Sequence, residues 1–303
     1  MASLLLRHRL VPEFLVRRFA DEGGRVMAER RDRNRRLALH ADEAGAEVGF
    51  YTVVEGQPGA ADLERLLSRT GERAAVAVER VVTGTFPPAG EDRAWLSVFI
   101  ALQLLLGRGQ RDGVGQAAGL MSELIVPAIE QLEEAAAELE EEGSEETASE
   151  GDAHAEESPA DASPEPPAGH VLVHDGEPVR VSLAGLPGLA RFVSERTWQL
   201  LRFPSRLVLT GDTPVVLWSR PGGAKSYQFG LGTADEVRMP LDPRHALVVA
   251  RTAPAGEVVR ELTDRHARAL NRTVAEAARE WMYYHPDSDP LEQVELAPPA
   301  SDD

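Results

Sequence analysis

The spacing of apolar and polar residues divides the chain into a mainly helical first part and a mixed second part. Apolar residues recur at helical spacing over residues 59–82, and residues 91–106 are apolar on nearly every face. These patterns predict one amphipathic helix and one buried helix. Short mixed runs at 25–31 and 36–39, separated by the turn residues Asp32-Arg33-Asn34, predict a β-hairpin.

Beyond residue 170 the pattern changes to short β-prone runs that alternate with helical stretches. Amphipathic spacing predicts helices over Leu186–Leu201 and Gly256–Tyr284. The predicted strands lie at residues 170–174, 178–181, 206–210, 214–219, 236–240 and 245–251. We therefore expect an α+β fold, with a mainly helical N-terminal region that carries a small β-hairpin and a C-terminal antiparallel or mixed sheet packed with helices.

A low-complexity segment rich in Glu, Ala, Ser and Pro lies between the two parts. Residues 143–169 carry too few apolar side chains to offset the entropy of ordering them, so this acidic insertion or linker is predicted to be disordered. The division that follows is a helical region over 1–142, the segment 143–169, an α/β region over 170–285 and a disordered tail over 286–303. Residues 1–142 and 170–285 form either two domains or one.

Charge and composition narrow the class of protein. The net charge of −18 comes from two segments without Lys or Arg, residues 130–165 and 280–303, and the remainder is near neutral to slightly basic. The chain has no cysteine, which excludes disulfides and thiolate chemistry. Because the most apolar stretch, Trp95–Leu106, is too short to span a bilayer, we expect a cytoplasmic protein without a membrane partner.

The stretch Arg7–Asp21 is the one around which a site is expected. It combines a basic start, Pro12 in the first turn of a helix, and an apolar stripe that ends before Gly23-Gly24. A second short stretch, Leu209–Leu217, contains an aspartate and a proline between two predicted strands. We expect the two stretches to meet and to define one cleft.

Asp212 is the main candidate for chemistry. A carboxylate at a strand end can act as a general base or a metal ligand, but an Asp just before a proline more often makes an Asx-turn that caps its own backbone. Glu72, Gln103 and Asn271 are polar residues on otherwise apolar helices, and they gain interest if they converge with Asp212.

No complete catalytic or cofactor motif is present. The histidines form no metal-binding pattern, and no nucleophile elbow, phosphate loop or dinucleotide-binding loop occurs, so neither a metal nor a cofactor is predicted. His245 begins a predicted strand directly after Asp242-Pro243-Arg244, a turn sequence.

Several motifs together resemble the bacterial family named domain of unknown function 4238. They are Arg9-Leu10-Val11-Pro12-Glu13-Phe14, Phe50-Tyr51-Thr52, Leu63-Glu64 with Glu72, Ala101-Leu102-Gln103, Thr210-Gly211-Asp212-Thr213-Pro214, Pro240-Leu241 with His245, and Leu270-Asn271. The resemblance covers nearly the whole chain apart from the acidic segment and the tail. It implies a fold and motif positions rather than an activity.

The departures from the family pattern bear on activity. The family has a histidine three residues before the proline of the opening motif, where this chain has Arg9, and arginine cannot act as a base at neutral pH. Gly211 and Thr213 replace the family's Ser and Asn. Near the family's arginine after the glutamine, this chain has Leu106, with Arg108 two residues later.

Three functions remain open, and the sequence does not decide whether the chain is an enzyme. The favoured one is a binding or regulatory module for an anionic ligand or nucleic acid. The candidate binding residues are Arg9, Pro12, Arg18, Tyr51, Gln103, Arg108 and Asn271. The alternatives are a metal-assisted hydrolase or nuclease-like enzyme with Asp212 and Glu72 as catalytic carboxylates, and an interaction scaffold that uses the Leu186–Leu201 helix or the acidic segment.

Overall fold

A computed structural model describes residues 7–9, 11–44, 46–48, 60–107, 186–220, 234–292 and 294–296. The strands are β1 (Arg7–Arg9), β2 (Arg25–Arg30), β3 (Arg36–His40), β4 (Ala46–Val48), β5 (Thr197–Arg202), β6 (Thr210–Gly211), β7 (Val216–Trp218), β8 (Glu236–Asp242), β9 (His245–Ala250), β10 (Val258–Glu261) and β11 (Trp281–Tyr284). The helices are α1 (Glu13–Arg17), α2 (Ala60–Thr83), α3 (Gly90–Gly107), α4 (Leu186–Ser194) and α5 (Asp264–Ala277).

The strands form three sheets. A five-stranded sheet has the order β10-β5-β9-β8-β7, a four-stranded sheet has the order β3-β2-β11-β6, and β1 pairs with β4. Only the β10–β5 pair is parallel in these sheets, so the larger sheet is mixed. This combination of helices with separate antiparallel and mixed sheets confirms the predicted α+β class.

Each large sheet has its own apolar core. Side chains of α2 and α3 pack with the five-stranded sheet, as Val78, Phe99 and Leu247 illustrate. Side chains of α1 and α5 pack with the four-stranded sheet. Phe14 contacts both cores, and its ring lies 5.5 Å from that of Phe99 in an edge-to-face arrangement. Helix α1 is therefore at the junction of the two layers. Among the described helices, none has the length and apolarity needed to cross a bilayer.

Elements with a long, uniform pattern agree with their predictions. The hairpin is formed by β2 and β3, with Val26 opposite Leu39, and helices α2 and α3 have nearly the predicted bounds.

The predicted helix Leu186–Leu201 is wrong in its second half, where β5 begins at Thr197. Arg93 donates to the carbonyls of Ser194 and Arg196, which satisfies groups that a longer helix would bond internally.

The predicted helix over Gly256–Tyr284 is likewise wrong at both ends. Strand β10 precedes α5, and β11 follows it. At the N-terminus Thr263 and His266 form a capping box that starts the helix at Asp264. At the other end Ala278 is already extended, with ψ 138°, and the next residues enter β11. In the sequence, the apolar residues of β10, α5 and β11 together look like the pattern of one long helix.

Strands from near both ends of the described chain, β2 and β11, share one sheet. Strand β2 pairs with β11, so Met27 lies opposite Tyr284 in the register. The division into domains stays a prediction, since the insertion at 143–169 and the strands predicted at 170–181 lie outside the described residues. Contrary to the expectation of a disordered tail from residue 286, Leu291 and Val294 are buried in the core.

Candidate functional site

The two stretches predicted to meet belong to one core. Leu15, Val16 and Phe19 of the opening stretch are fully buried in the cluster that also contains Leu209 and Val216. The contact between them is apolar, however, so it supports the fold and supplies no polar groups to a ligand.

Asp212 closes a backbone junction. Its Oδ1 accepts the amide N–H of Arg279 at 2.8 Å, and its Oδ2 accepts those of Glu280 and Trp281 at 2.7 and 3.0 Å. The residue is 2% exposed. These amides follow the end of α5, so the carboxylate fixes the transition from α5 to β11. Asp212 therefore accepts backbone amides, but they belong to a distant segment and not to its own turn, as an Asx-turn would require. Gly211 allows the close approach, because a Cβ there would lie 3.1 Å from the Cβ of Ala278.

Asn271 is a second internal clamp on the same segment. From the middle of α5, its Oδ1 accepts the Leu209 amide, and its Nδ2 donates to the carbonyls of Leu207 and Pro290. The side chain is fully buried. Since all its strong hydrogen-bonding groups are used on backbone, Asn271 positions β6 and the C-terminal segment.

The other predicted site residues are dispersed. Glu72 lies on the exposed face of α2, and Gln103 is buried in α3.

Pro12 precedes α1, and its carbonyl accepts the amides of Leu15 and Val16. Arg9 pairs through its backbone with Ala46 in the β1–β4 sheet. Tyr51 and Arg108 lie outside the described residues.

A cleft of about 700 Å³ opens beside the C-terminal end of α1. Three segments build it: the loop after α1, the turn between β8 and β9, and the residues after β11, with Arg206 at its edge. The lining residues are Arg18, Ala20, Asp21, Glu22, Gly23, Arg206, Asp242, Pro243, Arg244, His245, His285 and Asp287. The opening stretch therefore does border a cleft, but its polar partner is the β8–β9 turn rather than Asp212.

Arg18 joins three elements behind this cleft. Its Nε donates to the Leu241 carbonyl at 3.0 Å, its Nη1 lies 2.7 Å from Glu79 Oε2 on α2, and its Nη2 lies 3.6 Å from Asp242 Oδ2. Of the predicted binding residues that the structure describes, Arg18 is the one that lines the cleft. Its guanidinium is neutralised by these partners, so it holds the wall of the cleft in place.

Asp242 and His245 form a hydrogen-bonded pair at the β8–β9 turn. His245 Nδ1 lies 2.9 Å from both carboxylate oxygens, and Oδ1 also accepts the Arg244 amide at 2.7 Å. Burial opposes ionisation of Asp242, but the hydrogen bond and charge of His245, the Arg244 amide and the charge of Arg18 hold the pKa of that carboxyl below its usual value. Asp242 is therefore an anion that fixes the orientation of the imidazole.

A second histidine, His285, also lines the cleft. His285 is 4% exposed, its Nε2 lies 3.2 Å from Nη1 of Arg206, and its Nδ1 lies 3.2 Å from the Asp287 amide. Nearby, the backbone amide of Arg25 donates to Asp21 Oδ1 at 2.8 Å and lowers the pKa of Asp21. Both ring nitrogens of His285 therefore face donors from the protein.

Two arginines of the cleft, Arg206 and Arg244, have no acidic partner among the residues that the structure describes. Arg206 and Arg244 are exposed, and no carboxylate of the described chain lies within ion-pair distance of either guanidinium. Within the same residues, no three His, Asp or Glu side chains form a group that could hold a metal ion.

The sequence patterns do not indicate Asp242, His245, Arg206 or His285 as site residues. A usable signal existed only for the first two. Asp-Pro-Arg-His places a carboxylate and an imidazole three residues apart across a tight turn, where both side chains can lie on one side. Arg206 and His285 are 79 residues apart, and nothing local indicates that they meet.

Comparison with known proteins places the chain in a family without supplying an activity. No curated protein and no solved structure matches it. The family model of DUF4238, described as a protein of unknown function, matches residues 7–288, a span that includes every segment lining the cleft. The chain is therefore a member of the DUF4238 family.

Proposed function

We propose that the protein binds a small anionic ligand in the cleft beside α1. The observation that carries the proposal is the pair of cleft arginines, Arg206 and Arg244, that have no carboxylate partner among the described residues. Guanidinium groups bind carboxylate and phosphate oxygens through paired N–H donors. The other arginine of the cleft, Arg18, is already neutralised by Glu79 and Asp242.

The acidic residues of the cleft restrict the ligand to a compact anion. Asp21 accepts the Arg25 amide, and Asp242 is paired with His245 and Arg18, so neither carries an uncompensated charge. Glu22 and Asp287 are exposed at the rim, and their charges would repel a long polyanion. This arrangement favours a single phosphate or carboxylate group over a nucleic-acid strand, the other partner considered from the sequence.

The two alternatives receive less support. A hydrolase built on Asp212 and Glu72 would need both carboxylates in one site, but Asp212 is buried against three amides and Glu72 faces solvent on α2. For a scaffold that binds through a helix over Leu186–Leu201, only Leu186–Ser194 is helical. We therefore keep ligand binding as the proposed function.

The proposal is tested by titrating the protein with inorganic phosphate and, separately, with a single-stranded oligonucleotide, at two salt concentrations by calorimetry. We expect phosphate to bind, and Arg206→Ala and Arg244→Ala each to weaken that binding by about 2–5-fold, because a partly exposed charge pair contributes up to about 1 kcal/mol. Arg272→Ala is the matched control, since Arg272 is an exposed arginine of α5 outside the cleft.

Two results would reject this function. One is the absence of phosphate binding by the wild-type protein. The other is equal weakening by Arg272→Ala and by the cleft variants, which would show that only the general charge of the surface matters. Oligonucleotide affinity that is far higher than phosphate affinity and falls steeply with salt would instead favour nucleic acid.

A further inference from the structure

We propose that His245 is a general base in this cleft and that the protein hydrolyses a carboxylic ester whose anionic group is held by Arg206 and Arg244. The inference rests on the proposed anion binding and adds a reaction to it. Its basis is the position of the Asp242–His245 pair in the wall of the cleft, next to Arg244 in the same turn.

The hydrogen bonds of His245 determine which ring nitrogen carries the proton and which has a free lone pair. Nδ1 is the proton donor to Asp242, because the carboxylate oxygens 2.9 Å away can only accept. In the neutral ring, Nε2 then carries the free lone pair. Within the described chain no hydrogen-bond partner contacts Nε2, and the side chain is 18% exposed where it lines the cleft. The imidazole is thus held in the tautomer that can take a proton from a molecule in the cleft.

The pair does more than the turn requires. The turn between β8 and β9 is already closed by the pairing of Asp242 with His245 in the strand register and by the Arg244 amide, which donates to Asp242 Oδ1 at 2.7 Å. Asp242 is backed in turn by Arg18, which is anchored on Leu241 and Glu79. Asp242 is therefore a positioning residue for His245, in the role that a buried carboxylate has toward a catalytic imidazole.

Comparison with the other histidines singles out His245. His285 also lines the cleft, but both its ring nitrogens face donors, Arg206 and the Asp287 amide. His40 makes the same contact as His245, with Nδ1 2.9 Å from Asp42 Oδ1, but that pair is 54% exposed and lies outside the cleft. His40 is thus a chemically matched control.

The reaction is a simple hydrolysis. Water gives a proton to His245 Nε2 while its oxygen bonds to the acyl carbon, and the negative charge collects on the former carbonyl oxygen. When the carbonyl re-forms, the bond to the alcohol oxygen breaks, and that oxygen takes the proton from Nε2. The products are a carboxylic acid and an alcohol, and the imidazole is regenerated.

The test uses two activated esters, mono-4-nitrophenyl succinate, which is anionic, and 4-nitrophenyl acetate, which is neutral. We expect the full-length protein to hydrolyse the anionic ester faster than the neutral one. His245→Gln should lower that rate by at least about 10-fold, since general-base catalysis typically contributes 100-fold or more. His40→Gln should leave the rate unchanged, and the double variant R206A/R244A should abolish the preference for the anionic ester.

Phosphate binding by each variant separates this inference from the proposal on which it rests. Retained phosphate binding by His245→Gln with lost hydrolysis supports the base role and shows that the variant is folded. Equal rates for wild type, His245→Gln and His40→Gln, or a wild-type rate no higher than buffer while phosphate still binds, would overturn the base role alone. His245-dependent hydrolysis without phosphate binding or charge preference would instead overturn the anionic-ligand assignment.

Discussion

Two aspartates at strand ends, Asp212 and Asp242, have different surroundings although both lie within two residues of a following proline. Asp212 is 2% exposed, and its two oxygens accept three backbone amides. Asp242 accepts one backbone amide, and its other contacts are to the side chains of His245 and Arg18. The first carboxylate is committed to the backbone, whereas the second orients a side chain in a cleft.

The difference shows that the residues sharing a carboxylate decide its role. An ionised carboxylate has about four acceptor positions, and buried backbone amides fill them before any ligand can. When the partners are instead an imidazole and a guanidinium, the carboxylate fixes the orientation of side chains that can face a ligand. Asp212 therefore supports the fold, and Asp242 supports the cleft.

The largest effect that could break this comparison is expected for Asp212→Asn. The amide group retains one acceptor oxygen and turns an N–H group toward backbone donors, so the free energy of unfolding should fall by about 3 kcal/mol or more. Urea unfolding followed by circular dichroism measures it. Glu72→Gln, on an exposed face of α2, should change the value by less than about 0.5 kcal/mol. Equal stability of Asp212→Asn and wild type would remove the structural role of Asp212.

A smaller, pH-dependent effect is expected for Asp242→Asn. Loss of the Asp242 carboxylate should lower the free energy of unfolding by about 1–2 kcal/mol near neutral pH. Because the pKa of Asp242 is depressed in the folded protein, the stabilisation by its carboxylate is present above the unfolded pKa of about 3.9 and is lost as the pH falls through the folded value. The difference between wild type and Asp242→Asn should thus shrink below about pH 4. A difference that stays constant from pH 6 to pH 3 would contradict the account.

The sequence predicts the elements whose pattern is local. The hairpin and the helices α2 and α3 follow from periodicity and from turn residues. The ends of α4 and α5 do not, because distant residues fix them: Arg93 bonds the carbonyls after α4, and Asp212 accepts amides that follow α5, beginning 67 residues later with Arg279. Tertiary partners of this kind leave no trace in a local window.

The candidate site follows the same division. The opening stretch borders a cleft, since Arg18 lines it, but the stretch around Asp212 expected to share that cleft does not line it. Asp212 and Asn271 are candidates from the sequence because polar groups are unusual next to apolar runs. In the structure both side chains form hydrogen bonds with backbone groups. The Asp242–His245 contact could have been anticipated from its spacing of three residues, whereas the Arg206–His285 contact depends on the whole fold.

The central claim is that His245 Nε2 opens into the cleft that binds the anion, and chemical modification of histidine tests it most directly. Diethyl pyrocarbonate reacts with unprotonated, accessible imidazole nitrogens, and mass spectrometry gives the rate at each histidine. We predict that His245 reacts and that saturating phosphate slows its modification several-fold, while His40, the exposed pair outside the cleft, reacts at the same rate with and without phosphate. An unreactive His245, or one whose rate phosphate leaves unchanged, would contradict the account.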